Sequence, residues 1–282
     1  MKMGTGSCFG TFGELVQGVH QERPFLITLP IPALQSRAVF IPNDRTDITG
    51  PSFYKKAILA CKSLLQCFEI TSGGCLYMDS NIPVGKGMAS SSADLIASMK
   101  AVAASYELPV SEEILSILAS SIEPTDGVMY DGIVAYDYKS GRLLESFGQL
   151  PPCRLIGIDT GGTVNTIAFN QLPKSYTNEE KQQCSKAYHL IREGMKSHNL
   201  SDIFRASTMS AAINQRFLPN PYFHTFFRLH ETYGGGIVVA HSGTMIGLLI
   251  AYDCPYWREI EKEVKGIEGE EVTLYSFIIG KK

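Results

Sequence analysis

Apolar residues in Phe53–Phe68 (FYKKAILACKSLLQCF) recur at intervals of three and four, at Ala57, Ile58, Cys61, Leu64, Leu65 and Phe68, with lysines on the opposite side. That spacing predicts an amphipathic helix. A second stripe, Leu95, Ile96, Met99, Val102, Ala103 and Tyr106, predicts a helix from about Ser91 to Tyr106, and another follows from Ser111 to about Ser121. Ahead of them, Pro24 to Ile41 alternates in the manner of strands, with prolines at 24, 30, 32 and 42 limiting how far each extends. Gly73-Gly74 then breaks the chain before CLYMDS, a strand that leads into NIPVGKGMASSSADLIA, Asn81 to Ala97.

The pattern resets at Pro151-Pro152, where RLIGIDT reads as a buried strand opening a second half. Two units are expected, residues 1–150 and 151–282, since a chain of 282 residues is about the size at which single cores stop growing. Helical periodicity then covers about Asn178–His198, Leu200–Arg216, Tyr222–Tyr233 and Tyr256–Val264, before a last strand, VTLYSFII. Gly234–Tyr252 is nearly uncharged and long enough to cross a bilayer, but its glycines and a His-Ser-Gly-Thr turn between two β-branched runs describe a buried hairpin.

Composition narrows the function classes. With 44% hydrophobic and 19% charged residues the chain has material for a proper core and no disordered tract. A formal charge of −3, with scattered basic residues, argues against nucleic acid as a partner, and no membrane association is expected. Seven cysteines without a CxxC pair or histidines at zinc-ligand spacing fit reduced thiols in a cytoplasmic protein, and the N-terminus has no apolar run typical of a secretory signal. The number of copies in the assembly stays open, a homodimer included.

The chemistry concentrates in Pro83 to Ala93, PVGKGMASSSA. Glycines let a backbone approach a ligand closely, and the first amides of a helix lack partners within it, so a glycine turn running into a helix can cradle an anion. Ser91-Ser92-Ala93-Asp94 also fits a plain capping box, and both readings stand at this point. Neither GxxxxGK[ST] nor GxGxxG is present.

PVGKGMASSSA resembles the ATP loop of the GHMP kinases, close to PxGxGLGSSAA, with Met88 for leucine and Ala89 for glycine. SCFGTFGELVQG, Ser7 to Gly18, is similar to that family's first motif, and AHSGTMIG, Ala240 to Gly247, stands in the place of its third. Within the family, GELVQG, GMASSSAD, IEPTDGVMY, DTGG and AHSGT are most similar to the members that phosphorylate L-threonine in cobalamin biosynthesis. The resemblance implies an α+β kinase with a ribosomal-protein-S5-like N-terminal domain and a ferredoxin-like C-terminal domain. It also implies ATP and Mg²⁺ as cofactors and a small hydroxyl-bearing amino acid as acceptor.

The same resemblance distributes the roles. Pro83, Gly85, Lys86, Gly87, Met88, Ala89, Ser90, Ser91 and Ser92 would hold the nucleotide, with Ser91 next to the metal and Lys86 reaching a phosphate as a catalytic cation. Asp126 in IEPTDGVMY is expected to face the acceptor hydroxyl as its base, against the alternative of an ordinary Asp-Gly turn. Apart from the resemblance, Glu14, Gln17, Asp159, Thr160 and Gly161 are polar groups at the ends of expected strands and suit amino-acid recognition, with Glu14 or Asp159 taking the amine and a plain strand-ending turn the alternative at Asp159–Gly162. His241, Ser242 and Gly243 would close the site from the second half. A kinase with another acceptor, such as L-serine, homoserine or a different alcohol, and a sensor without turnover are the competing expectations.

Overall fold

The computed structural model describes residues 2–164, 169, 174–267, 269 and 271–280. Ten strands share one sheet: β1 Gly4–His20, β2 Arg23–Pro42, β3 Ile48–Thr49, β4 Gly74–Ser80, β5 Ile133–Asp137, β6 Arg142–Gly148, β7 Cys153–Asp159, β8 Gly236–Val239, β9 Met245–Ala251 and β10 Thr273–Ile279. Its order is β10-β7-β9-β8-β1-β2-β4-β3, and a β5–β6 hairpin pairs with β2 through Leu26 and Tyr136. Seven helices are described: α1 Lys55–Cys67, α2 Ser90–Tyr106, α3 Glu112–Ile122, α4 Asn178–Ser197, α5 Leu200–Asn214, α6 Phe223–Tyr233 and α7 Trp257–Lys265. None of the described helices is long and apolar enough to cross a membrane.

The prolines of the N-terminal region do not cut it into short strands. β1 and β2 run 17 and 20 residues, because irregularities in their ladder near Gly10 and Thr11 absorb the positions where Pro30 and Pro32 cannot donate. From Gly10 to Gly18 every residue of β1 is buried, in contrast to the alternation of the outer part of β2. This is the pattern of a strand covered on both faces.

The sequence boundary near residue 150 lies on the link from β6 to β7, where the chain moves to the other side of the sheet. One core nevertheless spans that link, joining Leu29, Phe40 and Leu64 to Cys153, Leu155 and Tyr188. A second cluster, with Ile156, Phe226, Ile246 and Ile260, packs α6 and α7 on the far strands. The two sides of the sheet meet where Glu14 of β1 pairs with Val239 of β8.

Candidate active site

The opening turn approaches α2 through backbone that few residues adopt. Gly85 and Gly87 have φ of 76° and 78°, and Ala89, at the N-cap of α2, has φ of 58°. No side chain caps α2. The expected Ser91–Asp94 capping box is absent, because the Asp94 carboxylate instead accepts a 2.5 Å hydrogen bond from Ser36 on β2. A complete capping box does occur at α4, between Thr177 and Glu180. The first amides of α2 therefore meet a cavity with the helix dipole behind them, which is the arrangement that binds anions.

That cavity has a volume of about 470 Å³, within the range of small-molecule sites. Of the predicted residues, Gly85, Gly87, Met88, Ala89, Ser90, Ser91, Ser92, Asp126, Glu14, His241 and Ser242 line it. Pro83, Lys86, Gln17, Asp159, Thr160, Gly161 and Gly243 stand off its wall.

Lys86 is the largest departure from expectation. Its ammonium turns away to Asp159, 2.7 Å off, and donates to the Gly162 carbonyl at 2.7 Å. Asp159 also accepts 2.6 Å and 3.0 Å hydrogen bonds from the Thr244 hydroxyl and the Gly161 amide, so its carboxylate is committed. Thr160 donates its amide to the Thr244 carbonyl. These residues fasten the nucleotide-loop candidate to the β8–β9 turn. At the crossing, a Cβ on Gly243 would lie 2.1 Å from the Lys86 carbonyl oxygen and 2.5 Å from the Gly87 Cα, so backbone meets backbone there.

Along the cavity wall the side chains form three linked groups. Ser91 donates to Glu123, and Lys56 of α1 pairs with the same carboxylate. Next, the Ser92 hydroxyl lies 3.3 Å from both Oδ2 and the backbone nitrogen of Asp126. Burial pushes the Asp126 carboxyl up to about 6, with the Ser92 hydrogen bond opposing the shift and the Glu123 charge adding to it. Beyond it, Glu14 is 4% exposed and its carboxyl is held well above the usual range, by burial first and then by Asp126. A hydrogen bond from the His241 backbone and the charge of Lys174 act the other way.

His241 closes this end. Burial holds its ring well below the ordinary imidazole range, and Lys174 and Lys139 reinforce that, so the ring is neutral. Tyr138 stands 5.0 Å away, ring to ring.

Reasoning from sequence had missed Glu123, Lys56, Lys174 and Tyr138. Glu123 lay within the quoted motif, three residues before Asp126, and a second carboxylate beside the proposed base could have been its signal. Lys56 carried no such mark, since it sits on the polar side of an amphipathic helix. Lys174 lies outside every quoted motif, twelve residues beyond DTGG.

The donor set suits Mg²⁺. Among the described residues no three acidic, histidine or cysteine side chains cluster as a complete cage. Ser91 and Glu123 offer one hydroxyl and one carboxylate, and Mg²⁺ is commonly held by one or two carboxylates together with substrate phosphates and water.

Residues 52–134 match the GHMP kinases N terminal domain, a segment that contains the turn, α2, Glu123 and Asp126. The chain belongs to the GHMP kinases, ATP-dependent phosphotransferases with a hydroxyl acceptor. It is 28% identical to an L-threonine kinase of Citrobacter freundii, over 99% of this chain and 98% of that relative. With an L-threonine kinase of Salmonella typhimurium it shares 32% identity over 173 residues, 61% of this chain and 58% of that relative. A mevalonate kinase crystal structure has the same fold across 100% of both chains, with a TM-score of 0.69 at 17% identity.

Proposed function

We propose that this GHMP kinase transfers the γ-phosphoryl group of ATP, with Mg²⁺, to the side-chain hydroxyl of L-threonine, giving O-phospho-L-threonine and ADP. The observation that carries the reading is the sequence of groups along one cavity wall: an uncapped helix start, a serine–glutamate pair, a half-buried aspartate, and then a buried glutamate. The two relatives described as L-threonine kinases support that acceptor.

Phosphoryl transfer asks mainly for positioning and charge stabilisation. The amides of Ser90 and Ser91 and the Gly85–Ala89 turn receive the triphosphate. Ser91 and Glu123 would hold Mg²⁺, which would supply positive charge to offset the negative charge on the phosphate oxygens. Lys56 then exchanges its contact with Glu123 for a phosphate, as a flexible ammonium can.

At the acceptor, Asp126 accepts the hydroxyl hydrogen bond, and Ser92 fixes its orientation. As the threonine oxygen bonds to phosphorus, the bond from phosphorus to the β-phosphate oxygen breaks and the hydroxyl proton passes to Asp126. Glu14, whose Oε2 is buried without a partner, takes the acceptor ammonium. Asp159, the other candidate for that role, already has its partners in Lys86, Thr244 and Gly161.

The test is ADP release with L-threonine, L-serine, L-homoserine and simple alcohols, with the product identified by mass spectrometry. L-threonine should give the highest kcat/KM. Preference for another alcohol would replace the acceptor, and ATP binding without stimulated ADP release by any of them would make the protein a sensor.

A further inference from the structure

Glu14 and Gln17 are three positions apart on β1, a spacing that sends side chains to opposite faces of a regular strand. The ladder with β2 slips between Glu14 and Val16, and the extra residue returns both side chains to one side. Both then meet His241: Glu14 through the histidine backbone, and Gln17 through its Oε1 atom, 2.5 Å from Nδ1.

Lys174 Nζ lies 3.0 Å from His241 Nε2 and 3.5 Å from Nδ1, and an ammonium only donates. The Gln17 carbonyl oxygen lies 2.5 Å from Nδ1, which fits a neutral ring whose proton sits on Nδ1 and is donated to Gln17. Two buried atoms of opposite character remain without partners, the Gln17 amide nitrogen, a donor, and Glu14 Oε2, an acceptor. Buried polar groups are ordinarily paired, so this corner lacks something that both accepts and donates.

Lys174 appears in none of the ion pairs within 4 Å among the described residues; there its Nζ meets the neutral imidazole of His241 and the face of Phe169, 4.1 Å from the ring centroid, and the charges of Glu14 and Lys139 act on it from further off. Glu14 interacts electrostatically with Asp126 and with Lys174. Hydroxyl, ammonium and carboxylate groups of one small amino acid match the series Asp126, Glu14 and Lys174.

We infer that Lys174, which adjoins the cavity at His241, receives the acceptor's α-carboxylate, making Lys174 a specificity-determining residue that selects amino acids over simple amino alcohols. This rests on the amino-acid acceptor reading above. The first motif supplies the amine partner, and a cation from a remote segment supplies the carboxylate partner.

The experiment compares wild type, Lys174→Met and Lys174→Arg on L-threonine, on (R)-isopropanolamine, which is threonine without its carboxylate, and on β-hydroxybutyrate, which lacks the amine. Lys174→Met should raise KM for L-threonine roughly ten- to a hundredfold with kcat little changed, the loss expected for a charged hydrogen bond. Turnover of isopropanolamine should be unaffected, and Lys174→Arg should restore most of the threonine KM. Unchanged ATP binding by the methionine variant certifies its fold.

Equal losses on L-threonine and isopropanolamine, or no loss on either, would overturn the assignment. If the wild type prefers β-hydroxybutyrate or another carboxylate-bearing alcohol and Lys174→Met loses it, the threonine reading fails while Lys174 keeps its role. If the wild type uses only acceptors without a carboxylate, the assignment of Lys174 falls and the kinase reading stands. Should turnover be absent, calorimetric binding of L-threonine to wild type and Lys174→Met decides: equal affinity, or none to either, overturns the assignment.

Discussion

The Ser92 hydroxyl sits 3.3 Å from both the carboxylate and the backbone nitrogen of Asp126, so the first turn of α2 holds the carboxylate opposite the helix start. One short helical turn therefore orients the proposed base while its amides face the proposed phosphate site. Asp126→Asn keeps this geometry and removes the basicity. It should leave ATP affinity near that of wild type and lower kcat by about two to four orders of magnitude, the usual worth of a positioned base. Unchanged turnover would remove Asp126 from catalysis.

The raised Asp126 carboxyl also sets a pH dependence. A base must be unprotonated, so wild-type kcat/KM should fall as pH drops through about 6. For stability the direction is opposite. The folded-state value lies above that of an unfolded aspartate, so the fold is relatively favoured below about pH 4 and loses that advantage as pH rises through the folded-state value. Asp126→Asn should consequently stabilise the protein at pH 8 by ~1–2 kcal/mol, read from denaturant midpoints, and by much less at pH 4.

Glu123→Gln tests the metal assignment. The neutral amide keeps the shape of the side chain but removes the charge that balances a divalent cation. The Mg²⁺ concentration for half-maximal activity should rise about tenfold or more. A titration indistinguishable from wild type would place the metal elsewhere.

Lys86 and Asp159 yield a structural prediction in place of a catalytic one. Asp159→Ala strips partners from Lys86, Thr244 and Gly161 together, and the pair is mostly buried, with side-chain exposures of 19% and 5%. Denaturation should show a loss of ~2–3 kcal/mol, at the lower end for a broken buried pair because Lys86 retains some solvent. Lys86→Met in that background should add little further loss, since its partner is already gone.

Most elements could be read from periodicity, because amphipathic helices such as α1 and α4 owe their existence to a local pattern. The β5–β6 hairpin could not. Ile133–Asp137 is buried throughout, so it lacks alternation, and its place depends on β2, more than a hundred residues earlier. The β1 irregularity at Glu14 is likewise set by tertiary pairing. The glycine-serine turn and Asp126 were legible as motifs, yet Lys86 shows that a residue within a motif can serve the scaffold. Only the fold shows that a lysine beside the loop has a nearer carboxylate in Asp159, or that Lys174 reaches His241.

The most direct test of the account is a crystal structure with Mg²⁺, a nonhydrolysable ATP analogue and L-threonine. It should show the γ-phosphate at the Ser90 and Ser91 amides, Mg²⁺ on Ser91 and Glu123, and the threonine hydroxyl within hydrogen-bond distance of Asp126. A nucleotide bound away from the start of α2, or a threonine hydroxyl directed away from Asp126, would contradict it.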